Sequence, residues 1–139
     1  MLIVIAAWEG ILPINGRVIV VEDDQTLRML MTEILADIGA SSLAFNTADD
    51  ALMHMLSSSD ECVLVVADHG VPGQIQGAEF VAMVAEKWPQ TAAILTSGYE
   101  LDASAVPTGA VYLHKPWSID LLIIALAQLL QPGVPVRRI

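Results

Sequence analysis

The stretch Val63-Leu64-Val65-Val66-Ala67-Asp68-His69-Gly70 decides the fold. Its uncharged, β-branched run from Val63 to Val66 reads as a strand buried on both faces, the kind found at the centre of a parallel sheet. It ends on an acid. Upstream, Val18 to Val21 repeats the pattern and also runs into acids, Glu22, Asp23 and Asp24. Ser42 to Phe45, Ala92 to Leu95 and Ala110 to Leu113 complete a set of five strand candidates.

Longer segments of helical spacing separate these runs. Leu27, Leu30, Met31, Ile34, Leu35 and Ile38 make one apolar stripe, and Gly39 supplies its stop. Thr47 with Asp50 resembles a capping box opening a second helix that carries Ala51, Leu52 and Met55. A third follows Gly77 with Phe80, Val81 and Val84, and must end before Pro89. The last runs from about Ser118 to Leu130 and is stopped by Pro132. Between Gly98 and Gly109, a segment holding Pro107, a fourth helix has room for only about two turns. Strands alternating with helices predict an α/β fold, a doubly wound parallel sheet.

The whole chain sets limits on function. Its 139 residues suit one domain with a core of its own, and no room is expected for a second. Mean hydropathy is high at +0.60, yet no uncharged apolar run approaches the roughly 18 residues of a membrane span. The apolar start, Met1 to Trp8, lacks a basic leader and meets Glu9 at once, so a cytoplasmic protein is expected. Sixteen acids against six lysines and arginines give a net charge of −10, the wrong sign for binding nucleic acid. Arg137 and Arg138 read as part of a solvated tail, and Cys62, the one cysteine, as a packing residue.

In an open parallel sheet, chemistry collects at the carboxyl ends of the strands. There the sequence offers Glu22, Asp23 and Asp24 after the first strand, Asp68 after the third, Thr96 and Ser97 after the fourth, and Lys115-Pro116 after the fifth. Any one of these alone is an ordinary cap or loop residue. Together, converging carboxylates repel and call for a cation, and all-oxygen ligands select a hard one, Mg2+ or Mn2+. A carboxylate beside such an ion can act as nucleophile toward phosphorus, provided that Lys115 and Thr96 neutralise the phosphoryl oxygens.

The segments Val20-Val-Glu-Asp-Asp24, Val65-Val-Ala-Asp-His-Gly-Val-Pro72, Ile94-Leu-Thr-Ser-Gly98 and Leu113-His-Lys-Pro-Trp117, in this order and spacing, resemble the response-regulator receiver domain of two-component signalling systems, the CheY-like superfamily. The resemblance covers about Arg17 to Leu130. It implies a flavodoxin-like (βα)5 fold with strand order 2-1-3-4-5, a receiver domain over 17–131, an N-terminal extension over 1–16 of unknown role, and a tail over 132–139. It makes Asp68 the phosphoacceptor, and Glu22, Asp23, Asp68 and the Gly70 backbone carbonyl the metal site. Thr96 becomes the switch hydroxyl, Lys115 the ion-pair partner of the phosphoryl group, and Tyr112 the aromatic that rotates inward. A histidine kinase or phosphotransfer protein would be the donor and a downstream protein the target. Catalysis would be limited to self-phosphorylation and autodephosphorylation.

Three departures stand out. Gly70 lacks the side chain that receivers often carry there, the loop Pro72-Gly-Gln-Ile-Gln-Gly77 is about one residue long and without its acid, and the fourth helix is shortened. A receiver-like module that does not switch is one alternative. An aspartyl-phosphate phosphohydrolase of the haloacid-dehalogenase type is another, although its Asp-x-Asp pattern is missing after the first strand. His69 reads as a pocket-edge residue rather than a phosphoryl relay.

The last helix carries Leu121, Ile124 and Ala127 where a surface helix should be charged, which points to a homodimer contact or to cover from residues 2–8. Light scattering after size exclusion tests the first. A Leu121→Glu, Ile124→Glu variant should lose mass relative to wild type, and unchanged mass and solubility would count against any such contact.

Overall fold

A computed structural model describes residues 5–139. In chain order its elements are β1 (Trp8–Glu9), β2 (Arg17–Val21), α1 (Gln25–Asp37), β3 (Ser41–Phe45), α2 (Ala48–Ser57), β4 (Cys62–Asp68), α3 (Gly77–Lys87), β5 (Ala92–Ser97), β6 (Val111–His114), α4 (Ile119–Leu130) and β7 (Arg137–Arg138). Strands β2 to β6 form one parallel sheet in the order β3-β2-β4-β5-β6, which is the expected 2-1-3-4-5 order counted over these five.

The alternation inside the strands divides the core. Val18, Val20, Leu64 and Val66 face α1 and α4, packing on Ile34, Leu35, Leu122 and Leu126. Ile19, Val21, Val65 and Ala67 face α2 and α3, packing on Ala51, Phe80, Val81 and Val84. Because both faces of β2 and β4 are covered, these strands read as continuous apolar runs. The resulting sheet is rigid, and its carboxyl edge can hold side chains in place.

Local signals set the helix starts. Asp24 accepts from the Leu27 amide at 3.0 Å and caps α1, while Thr47 accepts from the Asp50 amide at 3.1 Å and caps α2. Gly77 opens α3 for a steric reason: a Cβ there would collide with the Asp68 carbonyl oxygen and lie 2.8 Å from the His69 nitrogen. Only glycine lets that helix begin so close to the end of β4. The acid missing from the long 72–77 loop is replaced from α2, where Asp49 accepts from the amides of Gln74 and Ile75 at 3.1 to 3.2 Å.

The short fourth helix expected between Gly98 and Gly109 is instead a single 3-10 turn, Ala103–Ala105. Pro107 and the two glycines leave too few residues to nucleate an α-helix.

The two ends of the chain form a ribbon. Trp8 pairs with Arg138 and Glu9 with Arg137, antiparallel, and the Ile139 amide donates to the Ala7 carbonyl at 2.8 Å. Arg137 therefore does more than a solvated tail residue would: it meets Glu9 at 2.8 Å, and Arg138 meets Asp120 at 3.4 Å. Trp8 is buried in the α1 and α4 core, with Ala7, Ile11 and Ile14 packed beside it. Part of the expected cover from residues 2–8 is thus in place, and residues 2–4 lie outside the described residues. Leu121 and Ile124 remain 52% and 40% exposed on the outer face of α4. Among the described residues no helix is long and apolar enough to cross a membrane.

Gln131 anchors this ribbon. Its amide nitrogen donates to the carbonyls of Gly10 at 2.8 Å and Val134 at 3.2 Å, and its oxygen accepts from the Leu12 amide at 2.9 Å. Replacing it with Ala leaves three part-buried backbone groups without their partner. Urea unfolding should show a loss of about 1 to 3 kcal/mol, and a loss below about 0.5 kcal/mol would mean that the ribbon is not held this way.

Candidate functional site

The sheet delivers four side chains to its carboxyl edge. Asp68 is the last residue of β4 and pairs in register with Thr96 of β5, while Glu22 follows β2 and Lys115 follows β6. The ladder continues past the strands, with the His69 amide donating to the Thr96 carbonyl at 2.8 Å and the Lys115 amide to the Ser97 carbonyl at 2.7 Å. Backbone hydrogen bonds therefore fix the loops that carry the site. The Lys115–Pro116 peptide is cis.

Lys115 is wedged between two acids. Its Nζ lies 2.8 Å from Glu22 Oε1 and 3.2 Å from Asp68 Oδ1. Thr96 Oγ1 donates to the same Asp68 oxygen at 3.2 Å. The second Glu22 oxygen accepts from the Asp24 amide at 3.1 Å, and Arg28 donates to the carbonyls of Glu22 and Asp23. Glu22 and Asp68 are each only 7% exposed and Thr96 is 3% exposed, whereas Asp23 is open to solvent.

Burial raises the pKa of the Glu22 carboxyl above the ordinary value. Hydrogen bonds from Lys115 and the Asp24 amide oppose the shift, and the nearby charge of Asp68 adds to it. For Lys115 burial pulls downward, but the hydrogen bond to Glu22 and the charges of both acids prevail, so its pKa is raised and the ammonium stays charged.

One ammonium faces three carboxylates. Glu22, Asp23 and Asp68 each bring an oxygen to within 4.8 Å of the others. At an effective dielectric constant of 20, each such pair repels by about 3 to 4 kcal/mol, and less where Asp23 meets solvent. The three carboxylates and the Lys115 ammonium sum to a charge of −2, with the Arg28 guanidinium nearby but held on backbone carbonyls. An all-oxygen, half-open, doubly negative site fits a hard divalent cation such as Mg2+.

The remaining expected residues lie around this centre. Gly70 follows in the β4–α3 loop with φ +122°, a backbone shape that favours glycine. His69, half-buried, ties the loop to the first turn of α3, its Nδ1 accepting from the Ala78 amide at 3.2 Å. Tyr112, half-buried, does not reach the acids. Its hydroxyl donates to the Tyr99 carbonyl at 3.1 Å and lies 3.1 Å from His114 Nδ1. Trp117 packs against the α1 and α4 core and, with Leu27, Leu30 and Pro116, lines a small apolar recess next to Lys115.

Two residues at this edge had no role assigned from the sequence, although Ser97 was already placed there after the fourth strand. Ser97 is fully buried, and its Oγ both donates to the Tyr99 carbonyl at 2.6 Å and accepts from the Tyr99 amide at 3.2 Å. Tyr99 stands edge-on to the His69 ring, with centroids 6.0 Å apart. A tyrosine just past Thr96 and Ser97 was the available hint, but its place over the neighbouring loop depends on tertiary structure.

Comparison with known proteins agrees with this geometry. Residues 18–127 match the family model of the response regulator receiver domain. The chain is 30% identical over 110 residues to the DNA-binding transcriptional regulator NtrC of Salmonella typhimurium, and 30% identical over 116 residues to the hydrogenase transcriptional regulatory protein HoxA of Cupriavidus necator. The alignments cover 76% and 79% of this chain but 23% of each relative, so the chain spans about a quarter of their length. Among solved structures, the BeF3-activated DrrB receiver domain superposes with a TM-score of 0.70 at 26% identity, covering 85% of this chain and 99% of that one. NtrX from Brucella abortus superposes with a TM-score of 0.72 at 25% identity, over 85% of this chain and 27% of that one. With fold, edge chemistry and family model in agreement, the chain belongs to the response-regulator receiver domains of two-component signalling.

Proposed function

We propose that this receiver is a switch in which Asp68 accepts a phosphoryl group from a histidine kinase or phosphotransfer protein, in the presence of Mg2+ or Mn2+. The observation that carries this reading is the arrangement on one oxygen of Asp68. Lys115 Nζ and Thr96 Oγ1 both lie 3.2 Å from Oδ1, while Oδ2 has no such partner among the described residues. Oδ2 is therefore the oxygen left to attack phosphorus. The new P–O bond forms as the donor's P–N bond breaks, and the electron pair stays on the donor nitrogen.

This chain's own groups then rearrange little. Lys115 already carries a fixed charge within reach of the incoming phosphoryl oxygens, and the Thr96 hydroxyl can rotate from Asp68 toward one of them. Bound at Glu22, Asp23, Asp68 and the Gly70 carbonyl, a divalent cation would supply the positive charge that the cluster lacks. Inward rotation of Tyr112 would break its hydrogen bond to the Tyr99 carbonyl, so the β5–β6 segment would feel the change.

In this reading the domain acts by itself in the cytoplasm as a single-domain regulator, turns over nothing beyond its own phosphoryl group, and signals through protein contact. A net charge of −10 weighs against direct contact with nucleic acid. Leu121 and Ile124 on α4 are offered as a homodimer contact because they stay exposed beside the terminal ribbon.

Incubation with acetyl phosphate and Mg2+, followed by mass spectrometry, tests the proposal. Wild type should take up one phosphoryl group per chain and Asp68→Asn none. A wild-type protein that remains unmodified would favour a receiver fold that does not switch.

A further inference from the structure

Gly70, two residues after Asp68, carries no side chain, and one residue stands next to the place a side chain would take. A Cβ built on Gly70 would meet the Tyr99 hydroxyl oxygen at 3.9 Å and Tyr99 Cε1 at 4.0 Å, ordinary van der Waals distances. Tyr99 thus lies where a side chain at position 70 would point. Its ring also meets His69, the residue directly after Asp68.

Tyr99 is not a core residue. It is 56% exposed, and among the described residues its hydroxyl has no hydrogen-bond partner. Its backbone, in contrast, is held three times, twice by the buried Ser97 hydroxyl and once by Tyr112. An exposed ring on so tightly held a backbone is kept in place for what it covers, and here it covers the Gly70 side of the acceptor loop.

We propose that Tyr99 substitutes for the side chain absent at Gly70 and, together with His69, screens the phosphorylated Asp68 from water, making it a residue that sets the lifetime of the signal. The inference rests on Asp68 being the acceptor. The step it slows is hydrolysis. A water oxygen bonds to phosphorus, the P–O bond to Asp68 breaks with its electrons returning to the carboxylate, and the water proton leaves on the released phosphate. A ring over the loop hinders approach of that water and leaves the Lys115 and Thr96 contacts untouched.

The test is decay of the label. Wild type, Tyr99→Phe and Tyr99→Ala are phosphorylated with acetyl phosphate and Mg2+, freed of donor by rapid desalting, and followed by intact mass. Tyr99→Ala should lose its phosphoryl group at least about threefold faster than wild type, and Tyr99→Phe, which keeps the ring, should stay within about twofold. Recovery by Phe separates screening from backbone anchoring, and equal urea midpoints for the three proteins exclude a loss of fold. Equal or slower decay in Tyr99→Ala, or Tyr99→Phe decaying as fast as Tyr99→Ala, would overturn the inference while leaving Asp68 as acceptor. A wild type that takes no label would remove the acceptor itself, and with it this proposal.

Discussion

A single ammonium, Lys115 Nζ, held 2.8 Å from Glu22 and 3.2 Å from Asp68, is what makes this sheet edge workable. Two buried carboxylates side by side would otherwise repel within a low-dielectric pocket and cost the fold stability. The lysine relieves part of that repulsion and leaves the rest. Because it cannot neutralise Glu22, Asp23 and Asp68 together, the edge keeps an appetite for a second cation and for a group whose oxygens the lysine can also serve. The same hydrogen bonds that position it, from the Lys115 amide to Ser97 and from the His69 amide to Thr96, tie the three central and edge strands into the site.

Most of this was legible in the sequence, because it depends on local pattern. Val18 to Val21 and Val63 to Val66 announce central strands through their β-branched runs, and Asp68, Glu22 and Asp23 follow from where those runs stop. Lys115 and Thr96 are placed by the same rule, that a residue after a parallel strand lies at the carboxyl edge. Of the three acids after the first strand, Asp24 is the one the structure uses as a helix cap, through its bond to the Leu27 amide.

What stayed hidden depends on contacts between distant parts of the chain. Nothing near Trp8 or Arg138 says that they pair, and no periodicity marks Gln131 as the residue that joins Gly10, Leu12 and Val134. The loop from Pro72 to Gly77 looked short of an acid because the acid comes from Asp49, on another helix. The segment around Pro107 kept enough helical character to suggest two turns, yet only Ala103–Ala105 coils. Tyr112 was expected to rotate inward in response to the phosphoryl group; the bond its hydroxyl makes to the Tyr99 carbonyl, 13 residues away in the chain, left no trace in the sequence.

Beryllium fluoride offers the most direct measurement, since its trifluoride occupies the place of a phosphoryl group on a carboxylate without depending on a kinase. Fluorine NMR of the protein titrated with it should show new bound resonances that require both Mg2+ and Asp68, absent without the metal and absent in Asp68→Asn. Free fluoride signals alone, at saturating beryllium and Mg2+, would contradict the assignment of this edge as a metal-dependent phosphoryl site.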